Sequence, residues 1–334
     1  MCIKRIAFYK SSVTADNMNI SLIAETLGIE TFGNEAHEVS RISSPDKADP
    51  QSLCVIWDKK ALEDLPSEVP IVAPEEFFVP GRDGLISQNP RAILPELLAL
   101  FSQARPKPAG IHPNAVISPD AKISPSAYIG ACAYVGDGCV VGDGTVIEPN
   151  ATLLANVRVG KNCLIHSGAV IGADGFGFER TPDGLVKIPQ TGGVTLGDDV
   201  EIGACTTIDR GTMSDTIIGS GTKIDNHVQV GHNVQIGKNC IICSMTGIAG
   251  SSVIEDNVTI SVQAGITDHV RIGAWSILAA RTGVTNDIPP NSLMSGFPAR
   301  PHNEAKRALV LSADLPSLYK RVRILERWCK NHEA

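Results

Sequence analysis

The sequence predicts a left-handed parallel β-helix, preceded by a small N-terminal α/β domain and followed by a C-terminal α-helical extension. Three observations predict it. An aliphatic residue returns every six positions from Ile111 to Val284. Hydrophobic residues reach 43% of the 334-residue chain, yet aromatics only 4%. Glycine is abundant, at 31 residues. A core of Val, Ile and Ala with few rings suits a narrow interior better than an ordinary globular one.

The hexad runs Ile111, Ile117, Ile123, Ile129, Val135 and on to Ile171, resumes at Leu196, Ile202 and Ile208, slips by four, and continues from Ile218 through Val230, Ile248 and Ile266 to Val284. Residues six apart fall on different faces of an α-helix, and no long stretch alternates as a half-buried strand would. Three short strands per turn give a triangular coil of 18 residues with one inward aliphatic per side, and coils stack at an inter-strand spacing of ~4.8 Å. Gly and Asn are expected at the corners, where φ > 0 is common. Two breaks interrupt this register: an excursion over 174–194 and the slip at "TMSDT", residues 212–216. Long loops leaving a rigid scaffold are frequently functional.

The flanking segments lack the hexad. Residues 1–17 read as a possible N-terminal extension, with Met18 an alternative start. Over 18–105, "NISLIAETLG" predicts a helix ended by Gly28, "SLCVIWD" and "VPIVAP" predict strands, and "NPRAILPELLALF" predicts a helix opened by Pro90. "ARPKPAGIHP" is a proline-rich hinge into the β-helix of 106–302. Residues 303–334 predict a helix with an apolar seam of Leu315, Leu318, Val322 and Leu325. Lys320, Arg321, Arg323, Arg327 and Lys330 crowd its remaining surface, which is either a solvated basic face or a dock for an acidic protein.

Composition excludes several classes. With 29 Lys+Arg against 36 Asp+Glu, no basic surplus invites nucleic acid. No apolar run is long enough for a membrane span, and the first residues are too short in apolar character for a signal peptide. The nine scattered cysteines read as reduced thiols used mainly for packing, which points to the cytoplasm.

The coil length serves as a ruler for chemistry. His232 and His269 are the third and fourth residues of units two coils apart, so they share one face. Gly250 lies 18 residues after His232, at the same corner. An imidazole beside an exposed glycine N–H is a candidate general base with an oxyanion donor. Asp225, seven residues before His232, is a candidate for orienting the ring. A histidine at a β-helix corner is also commonly a plain surface residue. His227 and His232 have the HxxxxH spacing that resembles the paired ligands of β-helical carbonic anhydrases. The third ligand of that pattern would fall on Thr191, so no metal site is expected.

The stretches "GADGFGF", "KIPQTGGV", "GACTTIDRG" and "IDNHVQVGHN" closely resemble the UDP-3-O-acylglucosamine N-acyltransferases of lipid A biosynthesis, with likeness over nearly the whole chain after Met18. The resemblance implies transfer of a 3-hydroxyacyl chain from the 4′-phosphopantetheine of acyl carrier protein to a UDP-amino sugar, by a homotrimer with no tightly bound cofactor. It implies His232 as general base, Asp225 as its orienting carboxylate and Gly250 as oxyanion donor. His269 and Asn233 would meet substrate, and Asp174, Phe176, Phe178, Lys187 and Gln190 would border the sugar nucleotide and acyl groups. The family's uracil-gripping aromatics are replaced here by Val55, Asp58 and Ala61, leaving Trp57, with Asp58, to supply the contact. Gly283, near the far end of the expected acyl groove, would leave room for a long chain. Two other readings stay open: a hexapeptide acyltransferase using another amino sugar or acyl-CoA, and a non-catalytic trimeric scaffold.

Overall fold

The structure, a computed structural model, describes residues 17–102 and 109–332. The proposed extension therefore lies outside the described residues except for its last one, as do residues 103–108 of the hinge. The chain divides into two compact units, 1–106 and 107–334.

The first unit is α/β. Its five-stranded sheet runs in the order Glu30–Phe32, Gly84–Ile86, Ile71–Ala73, Ser52–Val55, Arg41–Ser43. The first pair is antiparallel and the rest are parallel. Helix α1, Ile20–Leu27, starts where Asn19 accepts the Leu22 N–H at 2.8 Å and stops at Gly28 in the left-handed region. Helix α2, Pro90–Phe101, opens on its proline. Ile20 and Ile23 from α1, Leu97 from α2, and Leu53, Val72 and Leu85 from the sheet form its buried core.

The second unit is a parallel β-helix. Most strands are two residues long, and they stack into three sheets of eight, eleven and nine strands. A two-residue strand is not stable alone. Each is held by the equivalent strand one coil away, as in Val230 against Ile248 and Ile248 against Ile266. From Ile129 to Val284 every hexad aliphatic is no more than 4% exposed. Ile111, on the first coil, is 51% exposed because no earlier coil covers it.

The corners are more permissive than the sequence suggests. Asn150, Asn162 and Asn239 have positive φ as expected, but so do His227, Met245, Gln263, Trp275 and Arg281. Each of these corner N–H groups donates to a carbonyl of the preceding coil, as Ser251 does to His232 and Trp275 to Asp256. That bond offsets the strain of a left-handed non-glycine residue. The cysteines are less uniformly structural than their count implies. Cys54, Cys139, Cys163 and Cys240 are buried, whereas Cys132, Cys205 and Cys329 are exposed. Cys240 and Cys243 have a CxxC spacing, but Cys240 faces the coil interior and its thiol lies on the Glu255 carbonyl at 3.1 Å.

The excursion after Ala173 becomes an antiparallel hairpin, Phe178–Thr181 with Gly184–Lys187, and the coil resumes at Val194. After the last coil, Leu293–Ser295 joins one sheet and Arg300–Pro301 pairs with it in antiparallel sense. Helix α3, His302–His332, follows. Its seam residues Leu315, Leu318, Val322 and Leu325 are 43–61% exposed in the single chain.

One side-chain staple links three successive coils. The His166 ring lies 3.1 Å from Glu148 on one side and 3.1 Å from Glu201 on the other. Two flanking carboxylates require both ring nitrogens to donate, which is the imidazolium form. Burial acts to lower the His166 pKa, but the two carboxylates outweigh it and the net shift is upward. A raised folded-state value means the stabilisation is complete below pH ~6.5 and is lost as pH rises through the folded pKa. The thermal melting temperature of the wild type should therefore fall more between pH 6 and pH 8.5 than that of His166→Gln. Parallel melts of the two proteins across that window check this.

Candidate active site

His232 sits on the corner after the strand Gln229–Val230, at the third position of its unit. The same position one coil later is Gly250. A methyl group on Gly250 would come within 2.7 Å of both Nε2 and Cε1 of His232, so the imidazole lies directly over the Gly250 backbone. At the equivalent corners of other coils the N–H is capped by a side chain: Ala204 by Asn226, Lys238 by Asp256, Ala274 by Glu255. Among the described residues the Gly250 N–H has no such partner. A polar donor thus stands open beside a histidine ring. His269 follows on the next coil, donating its own N–H to the Gly250 carbonyl at 3.2 Å. Its side chain is 74% exposed and lies 4.0 Å from Asp268.

The two breaks in register close around this corner. The excursion brings Gly175 against His232, where an added Cβ would lie 2.5 Å from the His232 Cβ. Gln190 is buried and holds the loop to the slip segment, accepting from the Thr212 hydroxyl at 2.9 Å. Asp174 pairs with Lys187 across the base of the hairpin. Arg210 lies beside the same carboxylate and donates to the carbonyls of Gly172 and Ala155. The Lys187 ammonium, with help from Arg210, holds the Asp174 carboxyl below its ordinary range. On the outer side, Phe176 and Phe178 meet edge to face at 5.2 Å and are exposed.

Several assignments made from sequence are corrected here. Asp225 does not orient His232 within the chain. Its two oxygens accept the N–H groups of Asn226 at 2.7 Å and Ser244 at 3.0 Å, which stiffens a different corner. The carboxylate that feels the His232 charge is Asp209, whose pKa is raised by burial, with a Gln229 hydrogen bond at 2.9 Å and the charge of His232 opposing the rise. Asp209 is 23 residues before His232, so an 18-residue ruler misses it. Adding the four-residue slip places it one coil away. Asn233 is not free to meet substrate: its Oδ1 lies 3.0 Å from the Thr212 N–H and 3.1 Å from His232 Nδ1, and its Nδ2 donates to the carbonyl and hydroxyl of Ser214. Nor does Gly283 leave room for a chain, because the Phe297 ring occupies the space over its Cα. Gly247 and Gly265, in register before it on the same sheet, are open.

In the N-terminal unit, Val55 is buried and Ala61 packs partly buried against the core, so neither can grip a base. Trp57 is 50% exposed, with the Arg91 guanidinium 4.9 Å above one face. Asp58 caps a short helical turn by accepting the Lys60 N–H.

Fold and corner geometry together define the chain as a hexapeptide-repeat β-helix, and the comparisons agree. Residues 138–173 and 215–250 match the family described as bacterial transferase hexapeptide (six repeats). Within that class the chain is similar to UDP-3-O-acylglucosamine N-acyltransferases. It is 47% identical to the Methylorubrum extorquens protein of that name over 45% of this chain and 43% of the relative. With the Bordetella pertussis protein it shares 40% identity over 54% of this chain and 52% of the relative. The chain thus spans about half the length of the curated relatives it matches. Among solved structures, a UDP-N-acetylglucosamine acyltransferase from Bacteroides fragilis superposes with a TM-score of 0.53 at 30% identity, covering 57% of this chain and 73% of that one.

The Asp174–Lys187 pair is testable without any substrate. In Lys187→Met the Asp174 carboxyl should titrate at higher pH than in the wild type, moving back toward the ordinary carboxylate value. A carboxyl-carbon NMR titration reads the shift, and an unchanged midpoint contradicts the pairing.

Proposed function

We propose that the protein is an acyltransferase that moves a 3-hydroxyacyl chain from the phosphopantetheine thioester of acyl carrier protein to the 2-amino group of UDP-3-O-acylglucosamine, in the cytoplasm. The observation that carries this reading is the open Gly250 N–H beneath the His232 imidazole. Acyl transfer needs that pairing, a base for the nucleophile and a donor for the oxygen that gains charge.

In this mechanism His232 takes a proton from the sugar amine as its nitrogen attacks the thioester carbonyl. The carbon–nitrogen bond forms and the Gly250 N–H donates to the tetrahedral oxyanion. Collapse breaks the carbon–sulfur bond, and His232 returns the proton to the departing thiolate. The products are the amide and the free pantetheine thiol. Histidine suits both halves because free imidazole changes charge near pH ~6.5.

The surroundings fit the substrates. The apolar edge of Phe176 and Phe178, and the bare backbone at Gly247 and Gly265, give an acyl chain a surface without polar side chains to desolvate. Phe297 ends that strip and would limit chain length. Lys187 and Arg210 place positive charge beside His232, where a sugar nucleotide brings phosphate. Trp57 has one face taken by Arg91 and the other available to a base. Helix α3 carries Lys320, Arg321, Arg323 and Arg327, a basic match for an acidic carrier protein. Its half-exposed apolar seam is explained if three copies pack the helices together, as in a homotrimer.

His232→Ala should lower kcat for acyl transfer by at least about a thousandfold while leaving the melting temperature near that of the wild type. Gly250→Ala should cost about a hundredfold, because its methyl displaces the ring. A product-resolved assay with carrier-linked and CoA-linked donors over a panel of UDP-amino sugars checks both. Near-normal turnover by His232→Ala would sink the base assignment, and preference for acyl-CoA would redirect the donor. Absence of turnover with every donor would favour the scaffold.

A further inference from the structure

The Asn233 carboxamide has two donor hydrogens and two acceptor lone-pair directions, and the structure fills all four. The Thr212 N–H donates to Oδ1 at 3.0 Å, and Nδ2 donates to the Ser214 carbonyl and hydroxyl, each at 3.1 Å. These contacts leave no ambiguity in the amide. Reversing it would set an NH2 against the Thr212 N–H and an oxygen against the Ser214 carbonyl. Oδ1 is therefore the atom that faces His232 Nδ1 at 3.1 Å. An oxygen with no hydrogen can only accept there, so Nδ1 must carry the proton.

Resting on the acyltransferase reading, we propose that Asn233 is a positioning residue that fixes the neutral His232 in the Nδ1–H tautomer. Nε2 is then left as the basic lone pair over Gly250, and the slip at 212–216 exists to hold Asn233 in that role. The slip is the second, independent observation. At regular corners the N–H of the fourth residue donates to a carbonyl 19 residues earlier, as Ser251 does to His232 and His269 to Gly250. For Asn233 that carbonyl belongs to Ser214, and it is occupied by the Asn233 side chain instead. The Asn233 N–H goes to the Thr216 hydroxyl at 2.9 Å. The four extra residues thus convert a routine backbone bond into a clamp on the carboxamide. Substrate recognition by Asn233 is not required by this scheme, because no hydrogen-bonding position on it is left.

The tautomer follows from the clamp and matters to the chemistry. A histidine base held as Nε2–H would present a donor to the incoming amine and could not take its proton. Asp209 contributes negative charge nearby but no hydrogen bond to His232 among the described residues, so the tautomer is set by Asn233.

The test uses the full-length protein labelled with 15N-histidine. In the wild type the neutral His232 should show a protonated Nδ1 and an unprotonated Nε2. Asn233→Gly removes the acceptor while keeping the φ of +60° that this corner needs. It should give mixed tautomers, a kcat about tenfold lower and a KM within about twofold of wild type. Asn233→Asp keeps an acceptor oxygen and tolerates the same backbone, so it should return the wild-type nitrogen signature and recover kcat to within about threefold. A wild-type His232 already protonated at Nε2 overturns the proposal, and that measurement needs no variant to fold. So does a loss of kcat in Asn233→Gly with the nitrogen signature unchanged, the result a merely structural asparagine would give. The signature is read without substrate, so this inference and the acyltransferase reading fail separately: activity retained by His232→Ala defeats only the latter.

Discussion

The structure depends on one constraint, the hydrogen-bond register between coils. Two-residue strands have almost no stability of their own, and a left-handed corner costs energy wherever the residue is not glycine. Both are made tolerable by the coil that precedes them, through ladder bonds along the strands and a further bond at each corner. The interior adds a stack of aliphatics, but the register decides which residues enter it. This explains how Trp275, Arg281 and His227 occupy positions normally left to Gly or Asn. Side-chain identity at a corner is nearly free because the backbone bond does not consult it.

Chemistry appears where that register is deliberately broken. Two successive coils carry extra chain along the same edge, after strands paired through Ala173 and Asp209. The first excursion lays Gly175 and the Asp174–Lys187 pair against His232. The second, four residues long, redirects the bonds of a single corner onto the Asn233 carboxamide. Gly250 makes the complementary contribution. On other coils its N–H would be capped, and here it is left open under the ring. The site is thus assembled from a surplus of bonding at Asn233 and a deficit at Gly250, one coil apart.

Much of this was legible in the sequence, for a definite reason. A hexad repeat reports its own geometry, so Ile129 through Val284 could be placed inside the coil, and His232 and Gly250 at one corner, by counting alone. The caps at Asn19, Gly28 and Pro90 were equally readable because helix ends are local. Asp209 escaped because it lies across the slip, where the count of 18 fails. Asp225 was misplaced for the opposite reason: closeness along the chain suggested contact, while a coil corner turns residues seven apart away from each other. The saturation of Asn233 and the Phe297 ring over Gly283 depend on side chains from distant segments, and no periodicity encodes those. The α3 seam was visible, yet its exposure shows only in three dimensions.

The edge that received both additions bears on how such a molecule can change over time. Extra residues inserted within a strand would shift every later aliphatic off the interior. At a corner they leave the core untouched and extend only the surface. Loops of quite different length, a hairpin and a four-residue step, therefore coexist on adjacent coils without repacking. A scaffold of this kind separates inheritance of the fold from revision of the reaction. New specificities can be tried by lengthening one edge, with the price in stability confined to the coil that carries the change.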